Sequence, residues 1–215
     1  MAKILSYSYI CPQGLVAGNS ALAINFDPTD MVDGNILTAI YRRIGSDYPK
    51  FFKMDGFSKT GVLLSDLLFY QQNVPSVNDF KDNASVIVFS RSGTFQTDLK
   101  FEETISDVQN FFPSPSIFVY TLPNIVTGEI ALRHGIHGET AYYSTEKFDP
   151  AQIESIVSDT LPYNSCALVA WIDFYSPQQY GIMFVVANSN DETLPAFNAQ
   201  NLEDIYNKCF DFNIR

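Results

Sequence analysis

Apolar and polar residues alternate in two different periods along the first 90 residues of this chain. Residues 4–10 follow the two-residue period of a half-buried strand, and a Pro/Gly turn comes directly after them. Residues 57–72 instead place Val62, Leu63 and Leu67 on and around one face, as an amphipathic helix does. Residues 86–89 are continuously apolar, which is typical of a strand buried on both faces.

The second half of the chain continues this succession of helices and strands. The pattern predicts helices over residues 98–110, 123–134 and 150–158, and strands over residues 141–145, 167–175 and 181–186. The last two strands are separated by a short turn and should form a hairpin. Strands that alternate with helices predict an α/β fold with a mostly parallel central sheet flanked by helices.

Composition narrows the class of protein. The 215 residues, 46% of them hydrophobic, are enough for one compact domain with a core. The net charge of −11 repels phosphate backbones and anionic lipids, so we expect no nucleic-acid partner. No run approaches the ~18 apolar residues of a membrane span, and the N-terminus has the pattern of a first strand rather than of a signal peptide.

The cysteines suggest a reducing compartment. Cys11, Cys166 and Cys209 are scattered and odd in number, and no CxxC pair is present. Reduced thiols in a cytoplasmic protein are the simplest interpretation, and we expect neither a metal nor a cofactor.

Residues 114–138 carry a recognisable motif. A Pro/Ser-rich turn leads through Asn124 into a helix that contains Gly128 and is followed by Gly135. This stretch resembles the β-ketoacyl synthases of fatty-acid and polyketide assembly, in which such a helix precedes a strand that ends in Thr-Ala-Cys. Counted forward from Asn124 without a gap, that tripeptide falls on Thr145, Glu146 and Lys147. The nucleophilic cysteine of the family is therefore replaced by Lys147.

The resemblance also implies a fold. It covers most of residues 1–190 and implies one half of a thiolase-type fold, whereas complete ketosynthases contain two such halves packed back to back. Residues 191–215 are expected to form a tail with helical character that packs on the same domain. Loss of the second half should leave apolar surface exposed, and such a surface usually marks an interface.

Catalysis by the family's mechanism is not expected from this chain alone. Decarboxylative condensation needs a thiolate to carry the acyl chain and two imidazoles to stabilise the enolate. The family supplies both histidines after the cysteine, but His134 and His137 precede position 147. They could form a metal or acid–base pair. A cationic cap at the end of a helix is favoured, because two imidazoles without a third ligand are weak evidence for zinc.

Lys147 allows three interpretations. It could be a buried Schiff-base lysine with a lowered pKa. It could instead fill the vacated nucleophile pocket and pair with Glu146 or Glu139, or lie exposed in a loop. The two non-catalytic interpretations are favoured, because no catalytic base is identifiable. Nearby, Arg133 and Glu129 have the i, i+4 spacing of a helical ion pair.

The resemblance implies a role as well. Polyketide systems pair an active ketosynthase with a related subunit that lacks the cysteine, the chain-length factor, and short proteins of this kind occur in aryl polyene and flexirubin-type pigment pathways. By this resemblance the chain would pair with an active ketosynthase, meet an acyl carrier protein through that partner, and help to set chain length. The expected interface and tunnel lid comprises Pro115, Ser116, Phe118, Val119, Tyr120, Thr121, Asn124, Tyr143 and Thr145.

Two other functions remain open at this stage. The chain could be a free-standing acyl-binding or scaffold protein of the same pathway, which a stable monomer would favour. It could also be an enzyme with repurposed chemistry at Lys147, for which loss of a measurable activity in Lys147→Ala would be needed.

Overall fold

Seven strands form one sheet between two layers of helices in a computed structural model that describes residues 1–11, 14–17, 22–24, 36–70, 82–175 and 178–210. The strands are β1 Ala2–Cys11, β2 Gly14–Ala17, β3 Leu22–Ile24, β4 Ala84–Ser90, β5 Thr140–Ser144, β6 Cys166–Tyr175 and β7 Gln178–Asn188. The helices are α1 Ile36–Arg43, α2 Gly56–Tyr70, α3 Phe95–Glu103, α4 Pro115–Val119, α5 Ile125–His134, α6 Pro150–Thr160 and α7 Ala199–Phe210. Of the helices described, none is long and apolar enough to cross a membrane.

The strand order is β3-β2-β1-β7-β6-β4-β5, and the sheet is mixed. Strand β4 pairs in parallel with β5 and β6, whereas the other four pairings are antiparallel. The expected mostly parallel orientation is therefore wrong, although the α/β architecture is confirmed. Short links, such as the one between β6 and β7, can join only antiparallel strands, and β1 and β7 are antiparallel neighbours although they are distant in sequence.

Each central strand buries both of its faces. Val86 and Val88 of β4 belong to a first apolar cluster with α1, α2 and α5, and Ile87 and Phe89 belong to a second cluster with α6 and α7. The apolar run that predicted a strand buried on both faces is thus confirmed, because successive side chains point to opposite sides of a sheet.

Helices α2 and α5 pack closely through a glycine in the first cluster. A Cβ atom on Gly61 would lie 2.5 Å from Val126 Cγ2 and 3.2 Å from Ile130 Cδ1. Gly135 ends α5 with a left-handed φ of 64°, as expected for the residue just past a helix.

Helix α7 covers the second cluster. Its Leu202 and Phe210 are buried. Its Tyr206 ring stacks on the ring of Phe148 at a centroid distance of 4.1 Å, and Phe148 is the residue after Lys147. Glu154 of α6 accepts a 2.7 Å hydrogen bond from the backbone N–H of Ala199. The described part of the tail therefore packs on the same sheet as the rest of the chain.

Candidate partner interface

Exposed apolar side chains concentrate between residues 95 and 122. We call this set the α3–α4 surface; its members are Phe95, Leu99, Val108, Phe111, Phe112, Phe118, Val119 and Leu122. Phe112 is 80% exposed, an unusual position for a phenylalanine in a folded domain. Contiguous exposed apolar patches generally mark interaction sites.

The α3–α4 surface is one structural unit. The Phe112 N–H donates to the Thr104 carbonyl oxygen at 2.9 Å, which ties the following segment to the end of α3. Thr94 Oγ1 donates to the Thr121 carbonyl oxygen at 2.8 Å, and the rings of Phe101 and Phe118 lie 5.3 Å apart. These contacts hold α4 against α3.

Local sequence explains why α4 forms and which side chains it exposes. The Ser114 hydroxyl accepts a 3.4 Å hydrogen bond from the Ile117 N–H, and Pro115 occupies the first helical turn, where its missing N–H costs nothing. Phe118 and Val119 are about half exposed, 51% for Phe118. Pro115 and Ser116 are exposed beside them, and Thr121 donates its hydroxyl to the Phe118 carbonyl oxygen.

The Tyr120 side chain is hydrogen-bonded to a buried carboxylate. Its hydroxyl donates to Glu129 Oε1 of α5 at 3.0 Å, and Lys50 Nζ lies 2.7 Å from Glu129 Oε2. Burial and the Glu129 hydrogen bond raise the pKa of Tyr120. Sequence reasoning missed this cluster because Glu129 was assigned to Arg133. Arg133 instead forms a two-point contact with Asp66, at 2.8 and 3.2 Å, so the expected i, i+4 pair is wrong.

Strand β5 lies at an end of the sheet. It pairs with β4 on one side, and within the described residues no strand pairs its other side. The Val86 N–H donates to the Glu139 carbonyl oxygen, and the Thr145 N–H donates to the Ser90 carbonyl oxygen. Because successive residues of a strand point their backbone groups to opposite sides, Thr140, Tyr142 and Ser144 direct theirs to the open edge.

The expected interface residues do not all lie together. Pro115, Ser116, Phe118, Val119 and Thr121 are on or beside α4, and Asn124 is exposed at the start of α5. In contrast, the Tyr143 ring stacks on Phe89 at 5.2 Å, within the second cluster, and Thr145 is half-buried. Tyr143 therefore packs on the opposite face of the sheet from Tyr120, which contacts the first cluster.

A cavity of about 370 Å³ opens beside the α3–α4 surface. It is lined by Arg91, Ser92, Phe95 and Tyr175. The rings of Phe95 and Tyr175 are stacked, with their centroids 6.0 Å apart. Arg91 also forms a 2.8 Å ion pair with the buried carboxylate of Asp173. The spacing of Phe95 and Leu99, four residues apart on one helix, is the sequence signal that could have pointed to this region.

Lys147 lies exposed in the loop between β5 and α6. Among the described residues, no carboxylate lies within ion-pair distance of it, Glu146 and Glu139 included. Of the three interpretations, the structure supports the exposed loop and contradicts a buried Schiff-base lysine and a lysine paired inside a pocket. The space beside position 147 is occupied by Phe148, which stacks on Tyr206 and makes an edge contact to Trp171.

The two histidines are separated and differ in character. His134 is largely buried, with its side chain 10% exposed and Nε2 2.8 Å from Ser65 Oγ, and this burial lowers its pKa to about 4. It is therefore neutral near pH 7, so the favoured cationic cap is wrong for this residue. His137 is exposed, and its Nδ1 lies 3.4 Å from Asp82 Oδ1. The two imidazoles contact different residues, and among the described residues no group of three or more potential ligands could hold a metal ion.

Cys166 and Cys209 are protonated near neutral pH. Burial raises the pKa of Cys166 to about 11 and that of Cys209 to about 12. A nucleophilic thiol needs a lowered pKa, so neither of these residues replaces the missing cysteine.

Comparisons with known proteins place the fold. No protein-family model matches the chain, and no curated protein sequence matches it. Solved structures do match, first "The ishigamide ketosynthase/chain length factor", with a TM-score of 0.63 and 14% identity over 91% of this chain and 64% of that chain. A ketosynthase (ApeO) in complex with its chain length factor (ApeC) from Xenorhabdus doucetiae matches with a TM-score of 0.56 and 11% identity over 87% of this chain and 79% of that chain.

A third match is a type II polyketide synthase acyl-carrier protein in complex with its ketosynthase, AntDE:AntF, with a TM-score of 0.55 and 12% identity over 87% of this chain and 62% of that chain. The chain thus spans less than two thirds of the first and third matched chains. Identities this low establish the fold alone. The chain has a ketosynthase-like thiolase-type fold, which confirms the resemblance found in residues 114–138.

Proposed function

We propose that this protein is a non-catalytic, ketosynthase-like subunit that pairs with an active β-ketoacyl synthase and helps to set the length of its product. The observation that carries the proposal is an open strand edge combined with an exposed apolar surface on a ketosynthase-like fold. Aryl polyene-type biosynthesis is the proposed setting. An acyl carrier protein, usually acidic, would dock on the partner rather than on this chain, which carries a net charge of −11.

The open edge of β5 supports strand pairing with the partner. The outward backbone groups of Thr140, Tyr142 and Ser144 offer a row of donors and acceptors to a second strand. A strand edge that no described strand pairs invites another chain, and main-chain hydrogen bonds then contribute to the affinity.

The α3–α4 surface supports a large apolar contact. Its eight exposed side chains include four phenylalanines, and aromatic residues are enriched in protein interfaces. In contrast, the outward residues of α6 are small or polar, among them Gln152, Ser155 and Asp159. The exposed apolar side chains of this region therefore lie on and between α3 and α4 and immediately after α4, and not on α6.

Position 147 and its surroundings support a non-catalytic role. Lys147 is exposed, its neighbour Phe148 packs into an aromatic cluster, and Cys166 and Cys209 are held as protonated thiols. Such an arrangement provides no thiolate to carry an acyl chain, so the carbon–carbon bond would be formed in the partner.

Phe118 is the side chain that we assign to limiting the partner's acyl pocket. Because it is half exposed, Phe118→Ala should change the free energy of unfolding by less than about 1 kcal/mol while it removes bulk from the interface. We expect a longer or broader product distribution from the complex, measured by mass spectrometry of the released acyl products.

The matched control for Phe118→Ala is Tyr163→Ala, which removes an 84% exposed aromatic ring between α6 and β6. Tyr163→Ala should leave the products unchanged. An unchanged product profile for Phe118→Ala in an intact complex would contradict the assigned role. Tyr120→Ala is a less direct probe, because it also breaks the contact with buried Glu129.

A further inference from the structure

The contact between Lys50, Glu129 and Tyr120 joins three separate elements. Lys50 lies in the 3-10 turn Pro49–Lys53, Glu129 is on α5, and Tyr120 is the residue that ends α4. Oε1 of the carboxylate accepts a 3.0 Å hydrogen bond from the tyrosine hydroxyl, whereas Oε2 lies 2.7 Å from the lysine ammonium in an ion pair that lacks hydrogen-bond geometry.

Glu129 occupies a position where an apolar side chain would be the ordinary choice. It is 4% exposed and shares the buried face of α5 with Val126 and Ile130. Burial of a carboxylate costs free energy that its partners can offset only with good geometry. Because a well-packed apolar residue would serve stability equally well, a second role for this carboxylate is indicated.

Helix α4 is held from two sides. Towards α3, it is held by the Thr94 hydroxyl on the Thr121 carbonyl oxygen and by the ring contact of Phe118 with Phe101. Towards α5, it is held by the hydrogen bond that the Tyr120 hydroxyl donates to Glu129. Release of this second contact would leave α4 attached to α3 and joined to α5 through the intervening turn, in which the Ile125 N–H donates to the Leu122 carbonyl oxygen.

We propose that Glu129, held by Lys50, is a positioning residue that fixes the height and orientation of α4 on α5 through the Tyr120 hydroxyl. The side chains so placed are Phe118 and Val119, which are half exposed and lie two residues and one residue before Tyr120, respectively. The consequence of this positioning for product length rests on the proposed function, whereas the positioning itself is a property of the isolated chain.

Hydrogen exchange of the full-length chain tests the proposal. Tyr120→Phe removes only the hydroxyl, and Glu129→Leu replaces the carboxylate with an apolar side chain of similar size. We expect backbone amides of residues 117–122 to exchange about five- to tenfold faster in both variants, while the amides of β4 keep their wild-type rate. The double variant should exchange no faster than Glu129→Leu alone, because both changes break the same contact.

Tyr163→Phe, which removes an exposed tyrosine hydroxyl, is the matched control and should exchange as the wild type does. Wild-type exchange of residues 117–122 in Tyr120→Phe would overturn the proposal. Equal acceleration of residues 117–122 and β4 would overturn it as well, because it would show a general loss of stability. If Glu129→Leu fails to fold, the Tyr120→Phe result alone decides.

The experiment separates this inference from the proposed function. If the variants show faster local exchange but the chain binds no ketosynthase, the positioning role of Glu129 is supported and its effect on product length is refuted. A chain that binds a ketosynthase but shows unchanged exchange would keep the proposed function and remove the role of Glu129.

Discussion

Arg133 and Glu129 form ion pairs with other elements rather than with each other along their own helix. The two residues have the spacing of a helical pair, but Arg133 contacts Asp66 of α2 and Glu129 contacts Lys50. An i, i+4 pair on a helix surface contributes only about 0.2–0.5 kcal/mol, so a partly buried partner from another element outweighs it. Local spacing alone could not have shown this, because the competing groups are distant in sequence.

Two glycines in neighbouring helices should respond to alanine in opposite ways. A Cβ on Gly128 would meet no atom within 4 Å, so Gly128→Ala should raise the free energy of unfolding by about 0.5–1 kcal/mol. A Cβ on Gly61 would overlap Val126, so Gly61→Ala should lower it by about 1–3 kcal/mol. Urea unfolding of both variants measures this, and equal effects of the same sign would contradict the packing of α2 on α5.

The buried His134 should make stability depend on pH. Its pKa is lowered to about 4 in the folded chain, from an ordinary value of 6.5. Between these values the unfolded chain binds a proton that the folded chain does not. Its contribution to stability is therefore fully present above pH 6.5 and is progressively lost as the pH falls towards 4.

The loss expected from His134 is about 3 kcal/mol across this range, since one pKa unit corresponds to about 1.4 kcal/mol. His134→Gln should remove that part of the pH dependence in urea unfolding between pH 7 and 4.5. The matched control is His137→Gln, which changes the other, exposed histidine in the same way. The same slope in both variants would show that the His134 environment is not as described.

The local sequence pattern predicts the individual helices and strands, but it does not predict which strands pair with one another. The strand buried on both faces, the β6–β7 hairpin and the helix that ends at Gly135 follow from periodicity and turn chemistry, and all three are confirmed. Strand direction was wrong because it depends on which strands become neighbours, as β1 and β7 do across most of the chain. The anchoring of α4 on α5 was missed for the same reason.

Proline substitutions test whether the open edge of β5 pairs with a partner strand. Thr140→Pro combined with Ser144→Pro removes two outward N–H groups and leaves the bonds to β4 in place. We expect the affinity for the partner ketosynthase to fall at least about tenfold, measured by surface plasmon resonance, with little change in folding. Thr140→Val combined with Ser144→Val keeps both N–H groups and is the control. Undiminished affinity in the proline variant would exclude β5 as the paired edge.

The whole molecule combines a ketosynthase-like fold with features that favour a partner. Acidic residues outnumber basic ones by 24 to 13, so long-range attraction to an acidic carrier protein is not favoured. The α3–α4 surface supplies apolar area, and the edge of β5 supplies backbone donors and acceptors. The resemblance in residues 114–138 indicated this architecture, but the place of the exposed apolar side chains depends on the packing of α3, α4 and α6.

The most direct test is co-purification. The tagged chain is expressed with the ketosynthase encoded beside it, and the mass and stoichiometry of the purified species are determined. We expect a stable one-to-one complex that persists in high salt, because salt does not screen an apolar interface. A chain that purifies as a monomer in the presence of every neighbouring ketosynthase would contradict the proposed subunit role.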